Sequence, residues 1–273
     1  MSSAATEPLD SRPTALVHPA PRGWTSHLIA DGSVLLVLGL WWLAARHFGP
    51  VILPNPLDVG RDLIALFTKP DLLWHVGAST LRVAVSVLAA LLLGGGLAVL
   101  ARAVPVLEEV ILGRVLVLLN SFPSVGWAIL AVIWFGVSTP SVIFVQVMIL
   151  IPFCLINIAE GLVEIDRELA EMAESFTRNR MRIFIRVLLP LMMPYVVAAL
   201  RVSYGIAWKI ALVSELFGAT SGLGYLMIQA ETVADASRVF STSFAIVALF
   251  TLGDKLAIEP LARRFAANRG NPS

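Results

Sequence analysis

Between Val115 and Ala159 the chain carries no charged side chain. An uncharged, largely apolar run of that length is twice what one bilayer crossing requires, roughly 20 residues. No water-facing globule could hide it. Near its middle, Gly136-Val137-Ser138-Thr139-Pro140-Ser141 is a turn signal, so the run reads as a hairpin of two membrane spans. The whole chain of 273 residues agrees: 58% is hydrophobic and only 14% charged, against roughly 25% charged in an average soluble domain. A formal charge of +1 gives no pull toward polyanions and argues against a nucleic-acid binder. Cys154 is the single cysteine, which excludes an intrachain disulfide.

The same reading extended along the chain gives six spans, over 28–48, 76–101, 115–136, 140–159, 187–216 and 240–258. The predicted class is an all-α polytopic membrane protein. Its membrane domain covers 28–262, with a disordered tail over 1–27, a loop over 160–186 and a tail over 263–273. With both termini in the cytoplasm, 13 of the 20 Lys and Arg residues fall inside, 4 outside and 3 within spans, the bias expected of the correct orientation. Residues 49–75 lie outside. After Leu53-Pro54-Asn55-Pro56, the spacing of Leu57, Leu63, Ile64, Leu66 and Phe67 predicts a short amphipathic helix on the outer membrane face.

Several chemistries are missing. No G-x-x-x-x-G-K-[ST] is present to cradle a nucleotide. His18, His27, His47 and His75 are scattered and form no metal-binding cluster. No serine–histidine arrangement suits an intramembrane hydrolase. Gly94-Gly95-Gly96, mid-span, fits close approach of a neighbouring helix. Pro123, Pro152, Pro190 and Pro194 lie in or at the ends of spans and are expected to kink them.

Ionisable groups inside a span mark function by default, because burying them there is costly. The fifth span places Arg201, Tyr204, Gly205, Trp208, Leu212 and Glu215 on one broad face, with Lys209 at its edge. Lys209 is either held in a structural pair or faces a pathway, where it balances an anionic substrate. Glu215, near the outer end, either caps a loop or serves in gating or pairing. Gln146, Asn157, Asn120 and Ser121 are neutral polar groups suited to interhelical hydrogen bonds or to substrate contact.

The loop over 160–186 holds six acidic residues and five arginines. Apolar positions recur in it at Leu162, Ile165, Leu169, Met172, Ala173 and Phe176. A solvated loop would need no such pattern, whereas two short helices docking on a soluble partner would.

On these residues the chain resembles the binding-protein-dependent ABC transporter permeases, within them the type that imports nitrate, taurine, sulfonates or bicarbonate. The similar motifs are Glu171-Met172-Ala173 followed by Phe184-Ile185-Arg186-Val187-Leu188-Leu189-Pro190 and Pro194; Glu215 followed by Gly218-Ala219-Thr220-Ser221-Gly222-Leu223-Gly224-Tyr225; Ser79-Thr80-Leu81-Arg82-Val83; and Ile133-Trp134-Phe135-Gly136. They span about residues 50–262. Thr177 and Arg178 depart from the pattern, which has glycine and alanine there. The resemblance implies a type I importer permease with no cofactor and no catalysis of its own. ATP and Mg would reside on a separate cytoplasmic ATP-binding subunit, engaged by Glu171, Met172, Ala173, Phe176 and Thr177. It further implies a periplasmic or lipid-anchored solute-binding protein, a permease homodimer embedded in the lipid of a bacterial inner membrane, and a small anionic solute. Its pathway residues would be Lys209, Trp208, Tyr204, Glu215 and Gln146. The rival reading, a secondary transporter driven by an ion gradient, predicts two related halves and carboxylates within spans.

Overall fold

Prolines set where several helices begin. Proline at the first helical position removes an N–H that would have no partner there and presets φ. In the computed structural model, which describes residues 24–164 and 189–267, Pro56, Pro70 and Pro105 each open a helix. The elements are α1 (Trp24–Phe48), α2 (Pro56–Thr68), α3 (Pro70–Ala103), α4 (Pro105–Glu108), α5 (Leu116–Ser121), α6 (Ser124–Phe135), α7 (Thr139–Glu164), α8 (Leu189–Gly218), α9 (Leu223–Thr232), α10 (Ala236–Gly253) and α11 (Glu259–Ala267). A π-helical turn, Glu109–Val115, joins α4 to α5, and another, Asp254–Ile258, joins α10 to α11.

The centre is α7, packed between α3 and α8. Small residues allow the α3–α7 approach. A Cβ on Gly94 would lie 2.7 Å from Cys154 Cβ and 2.8 Å from the Ile151 carbonyl oxygen. Ala90, Leu150, Ile151, Cys154, Ala207 and Ala211 belong to the buried cluster that joins the three helices. The turn between α6 and α7 is made by Gly136, at φ +68°. Ser141 Oγ fastens it by donating to the carbonyls of Gly136 and, at 3.3 Å, Ala131. Phe144 packs against Trp127, Trp134 and Phe135 across that hairpin.

Three helices, α3, α7 and α8, are long and apolar enough to cross a membrane. Pro105–Ser121 and Ser124–Phe135 together pass the same test but meet at 88°. The described residues thus supply three spans, or four if the bent pair counts as one, against six expected. The third expected span, 115–136, is therefore broken at Pro123. That residue precedes α6 in an extended conformation and offers its first turn no side-chain acceptor. The first and sixth expected spans fall on α1 and α10. α10 gives way to a π-helical turn at Asp254. α7 and α8 each run on through an internal proline, Pro152 and Pro194.

The expected outer helix is α2. Asn55 Oδ1 caps it by accepting from the Leu57 N–H at 3.0 Å. It buries Val59 and Leu66, leaves Leu57 and Ile64 exposed, and is tied to α10 by Ser237 Oγ donating to Asp62 at 2.7 Å.

Candidate functional site

Two features stand out among the polar groups of the helical body. The first is a buried node where the N-terminal half of α3 meets the C-terminal end of α8. Arg82 and Glu215 are 5% and 1% exposed and form an ion pair at 3.0 Å. Removing both charges from water costs several kcal/mol per ion, offset only when the remaining donors and acceptors are satisfied as well. Here they are. Arg82 Nη1 donates to the Ser221 carbonyl at 2.6 Å, and Nη2 donates to Ser221 Oγ at 2.8 Å and Thr139 Oγ1 at 2.9 Å. Ser79 Oγ sits 2.8–2.9 Å from the two Glu215 oxygens, to which it donates, and accepts from the Leu223 N–H at 2.8 Å. Glu215 Oε2 accepts from the Gly224 N–H at 3.0 Å.

The glycines around the node follow from it. Gly222 has φ +113°, a conformation that side chains strain to adopt. A Cβ there would collide with the Glu215 carboxylate. A Cβ on Gly224 would lie 2.7 Å from Glu215 Cβ and from the Leu212 carbonyl oxygen. His75 completes the arrangement. Its Nδ1 accepts from the Gly222 N–H at 3.0 Å, and its ring stacks on Tyr225 at 5.9 Å. The node therefore fastens α3, α8, the start of α7 and the loop before α9 into one piece.

The second feature is a cleft of about 350 Å³ between α8 and α10. Gly205 leaves room for it. Trp208, Leu212, Ile246 and Phe250 form apolar walls, and Lys209 and Ser243 are its polar lining. Lys209 is exposed on the surface of this one chain, and among the described residues no acid pairs with it. Ser243 Oγ donates to the Val239 carbonyl at 2.9 Å.

The five residues that the sequence assigned to a pathway are thus divided. Lys209 and Trp208 line the cleft. Tyr204 buttresses it, stacking on Phe250 at 5.8 Å and donating to the Leu249 carbonyl at 3.1 Å. Glu215 lies in the buried node. Gln146 is fully buried on α7, with Nε2 3.5 Å from Ser214 Oγ and no partner for Oε1 among the described residues. Glu171, Met172, Ala173, Phe176 and Thr177 lie outside the described residues. Sequence reasoning gave no role to Ser79, Arg82, His75 or Ser221. The available signal was an arginine near the start of the second expected span and a glutamate near the end of the fifth, opposite charges that are each other's natural partner.

Comparison with known proteins fits this geometry. Residues 83–257 match the family described as binding-protein-dependent transport system inner membrane component. The taurine transport system permease protein TauC of Escherichia coli is 27% identical over 278 residues, covering 99% of each chain. The nitrate import permease protein NrtB of Leptolyngbya laminosa is 28% identical over 227 residues, covering 80% of this chain and 78% of its own. In fold, the chain is similar to a crystal structure of a bacterial ABC transporter involved in the import of the acidic polysaccharide alginate. The TM-score is 0.59 with 14% identity, over 90% of this chain and 100% of that one. The match covers more than half of the chain and takes in the cleft and the Glu215 side of the node: this protein belongs to the binding-protein-dependent inner membrane components, the permease subunits of ABC importers.

Proposed function

We propose that this permease moves a small anionic solute along a water-filled path bordered by the α8–α10 cleft, where Lys209 balances the solute's charge beside Trp208. The observation that carries this reading is the state of Lys209. It is an ammonium well inside a 30-residue helix, exposed, and unpaired among the described residues. A lysine facing hydrocarbon at the middle of a span costs at least roughly 2.5–3.5 kcal/mol. Water or an anion beside it removes that cost. Taurine carries a sulfonate and nitrate is an anion, so the substrates named for the two relatives agree. The family supports this reading over a carrier driven by an ion gradient.

Two copies enclose the path in the inner membrane, with their termini in the cytoplasm. Each seats Glu171, Met172, Ala173, Phe176 and Thr177 on an ATP-binding subunit, and a solute-binding protein delivers cargo from outside. ATP binding draws the two ATPases together, and the loop over 160–186 turns that movement into rigid-body motion of the helices. Glu215 and Gln146 then serve as scaffold.

The test is ATP-driven uptake by the complete importer in proteoliposomes. Losing a charge-assisted contact costs roughly 1.5–3 kcal/mol, so Lys209→Gln lowers uptake about tenfold or more while Lys209→Arg retains most of it. Full uptake by the Gln variant would refute the assignment.

A further inference from the structure

One peptide group in the loop before α9 is gripped from both ends by α3. The Ser221 carbonyl accepts from Arg82 Nη1 at 2.6 Å, and the Gly222 N–H of the same peptide donates to His75 Nδ1 at 3.0 Å. The next two amides are also held from outside the loop. Leu223 N–H donates to Ser79 Oγ at 2.8 Å, and Gly224 N–H to Glu215 Oε2 at 3.0 Å. Three successive N–H groups at the start of α9, which a helix cannot satisfy for itself, thus rest on side chains of α3 and α8. α9 in turn packs on α10, whose Ile246 and Phe250 wall the cleft.

Of these three acceptors, only the imidazole is of a type that ordinarily titrates between about pH 5 and 8. His75 is half-buried, so protons reach it. An Nδ1 that accepts is unprotonated, which leaves the ring neutral with its proton on Nε2. Imidazolium has two donors and no acceptor. A proton on Nδ1 would set N–H against the Gly222 N–H, and no rotation of the ring would restore an acceptor. It would also bring positive charge to the N-terminal end of α9 and to a peptide whose oxygen already holds the Arg82 cation. The remaining groups around His75 do not offset this. On α3, Asp71 lies one turn earlier but is exposed and screened by water, as is Lys69 where α2 ends. Glu215 on α8 is bonded to Arg82, Ser79 and Gly224. α9 presents the stacked Tyr225, and α7 the uncharged Thr139, which accepts from Arg82.

We propose that His75 is a proton-sensitive latch on α9: neutral, it seats the loop; protonated from the outer side, it releases Gly222, loosens α9 against α10 and slows import. The contact is present at high pH and is lost as pH falls through the histidine titration. The Arg82–Glu215 pair stays closed through that change, so the release is local and the fold is kept. That the proton comes from outside rests on the orientation proposed above, whereas the latch itself does not.

The permease, in complex with its ATPase, is placed in nanodiscs, and hydrogen–deuterium exchange is followed from about pH 8 to about pH 5 with the intrinsic rate divided out. Protection over residues 219–226 should fall about tenfold, while α7 stays protected. His75→Asn keeps an acceptor at the Nδ1 position and cannot titrate, so its protection should stay level across the range. In proteoliposomes holding the complete importer, with the inside pH fixed, acidifying the outside should slow uptake severalfold more in the parent than in His75→Asn. Level protection in the parent, or the same fall in His75→Asn, would overturn the latch. Protection that falls as expected, with uptake that changes equally in the two proteins, would overturn its role in import. If only the inside pH separates the two proteins, the latch stands and the proposed orientation fails.

Discussion

Arg82 Nη1 and Glu215 Oε1 stand 3.0 Å apart although 133 residues separate them in the chain, and neither side chain reaches solvent. The pair is the one buried ion pair among the described residues. It ties the N-terminal half of α3 to the C-terminal end of α8 and sets the course of the loop that leads into α9.

Breaking a buried pair from one side leaves an uncompensated charge and costs roughly 3–5 kcal/mol. Arg82→Met should therefore lower the unfolding midpoint of the detergent-solubilised protein sharply, and Glu215→Met should do the same. The double variant should lose clearly less than the two single losses added together. A double variant whose loss equals that sum would mean that the two groups do not act as a pair.

Gly94 and Gly96 should respond in opposite ways to one added methyl. At Gly94 it meets Cys154 and the α7 backbone, and overpacking of this kind costs roughly 1–3 kcal/mol. At Gly96 nothing lies within 4 Å, so alanine should be neutral, or stabilising by up to about 1 kcal/mol through helix propensity. Thermal unfolding of Gly94→Ala and Gly96→Ala checks this. Equal midpoints would contradict the close α3–α7 contact.

Gly222→Ala combines a left-handed backbone with a collision against the Glu215 carboxylate. It should release the loop before α9 as well as destabilise the fold. Limited proteolysis of right-side-out and inside-out vesicles reads this as a new cleavage near residue 222, open from the outer side. Gly77→Ala, which meets nothing within 4 Å, should leave the pattern unchanged.

Glu171→Lys reverses a charge on the segment assigned to the ATP-binding subunit. It should leave the amount of permease in the membrane unchanged while ATP hydrolysis no longer drives uptake, seen as ATPase activity without solute accumulation. Unchanged uptake by this variant would count against docking through that segment.

Much of the helical body was legible because its determinants are local. The charge-free run between Val115 and Ala159 announced the α6–α7 hairpin, and Asn55-Pro56 with its downstream apolar spacing announced α2. The glycine triplet announced a close approach. Which of the three glycines makes it depends on helix register, and Gly94 meets the α7 backbone while Gly96 does not. Pro123 was readable as a break, but not the 88° it produces, since that angle depends on what α6 packs against. Glu215 was left between capping a loop and pairing. It does both, with Oε2 on the Gly224 N–H and Oε1 on Arg82. Its partner was not legible, because choosing Arg82 requires knowing that α3 and α8 meet. The cleft has the same origin, being made by α8 and α10 together.

The corner at Pro123 has a wider consequence. α6 has 12 residues and rises only about 18 Å, well short of the roughly 30 Å of acyl chains in a bilayer. Of its opening amides, Trp127 reaches back to the Pro123 oxygen at 3.2 Å; those of Ser124, Val125 and Gly126 have no acceptor among the described residues. Fatty tails offer such dipoles nothing. A solitary copy ringed entirely by lipid would thus leave a dry seam, and this flank has to look onto solvent or onto another polypeptide.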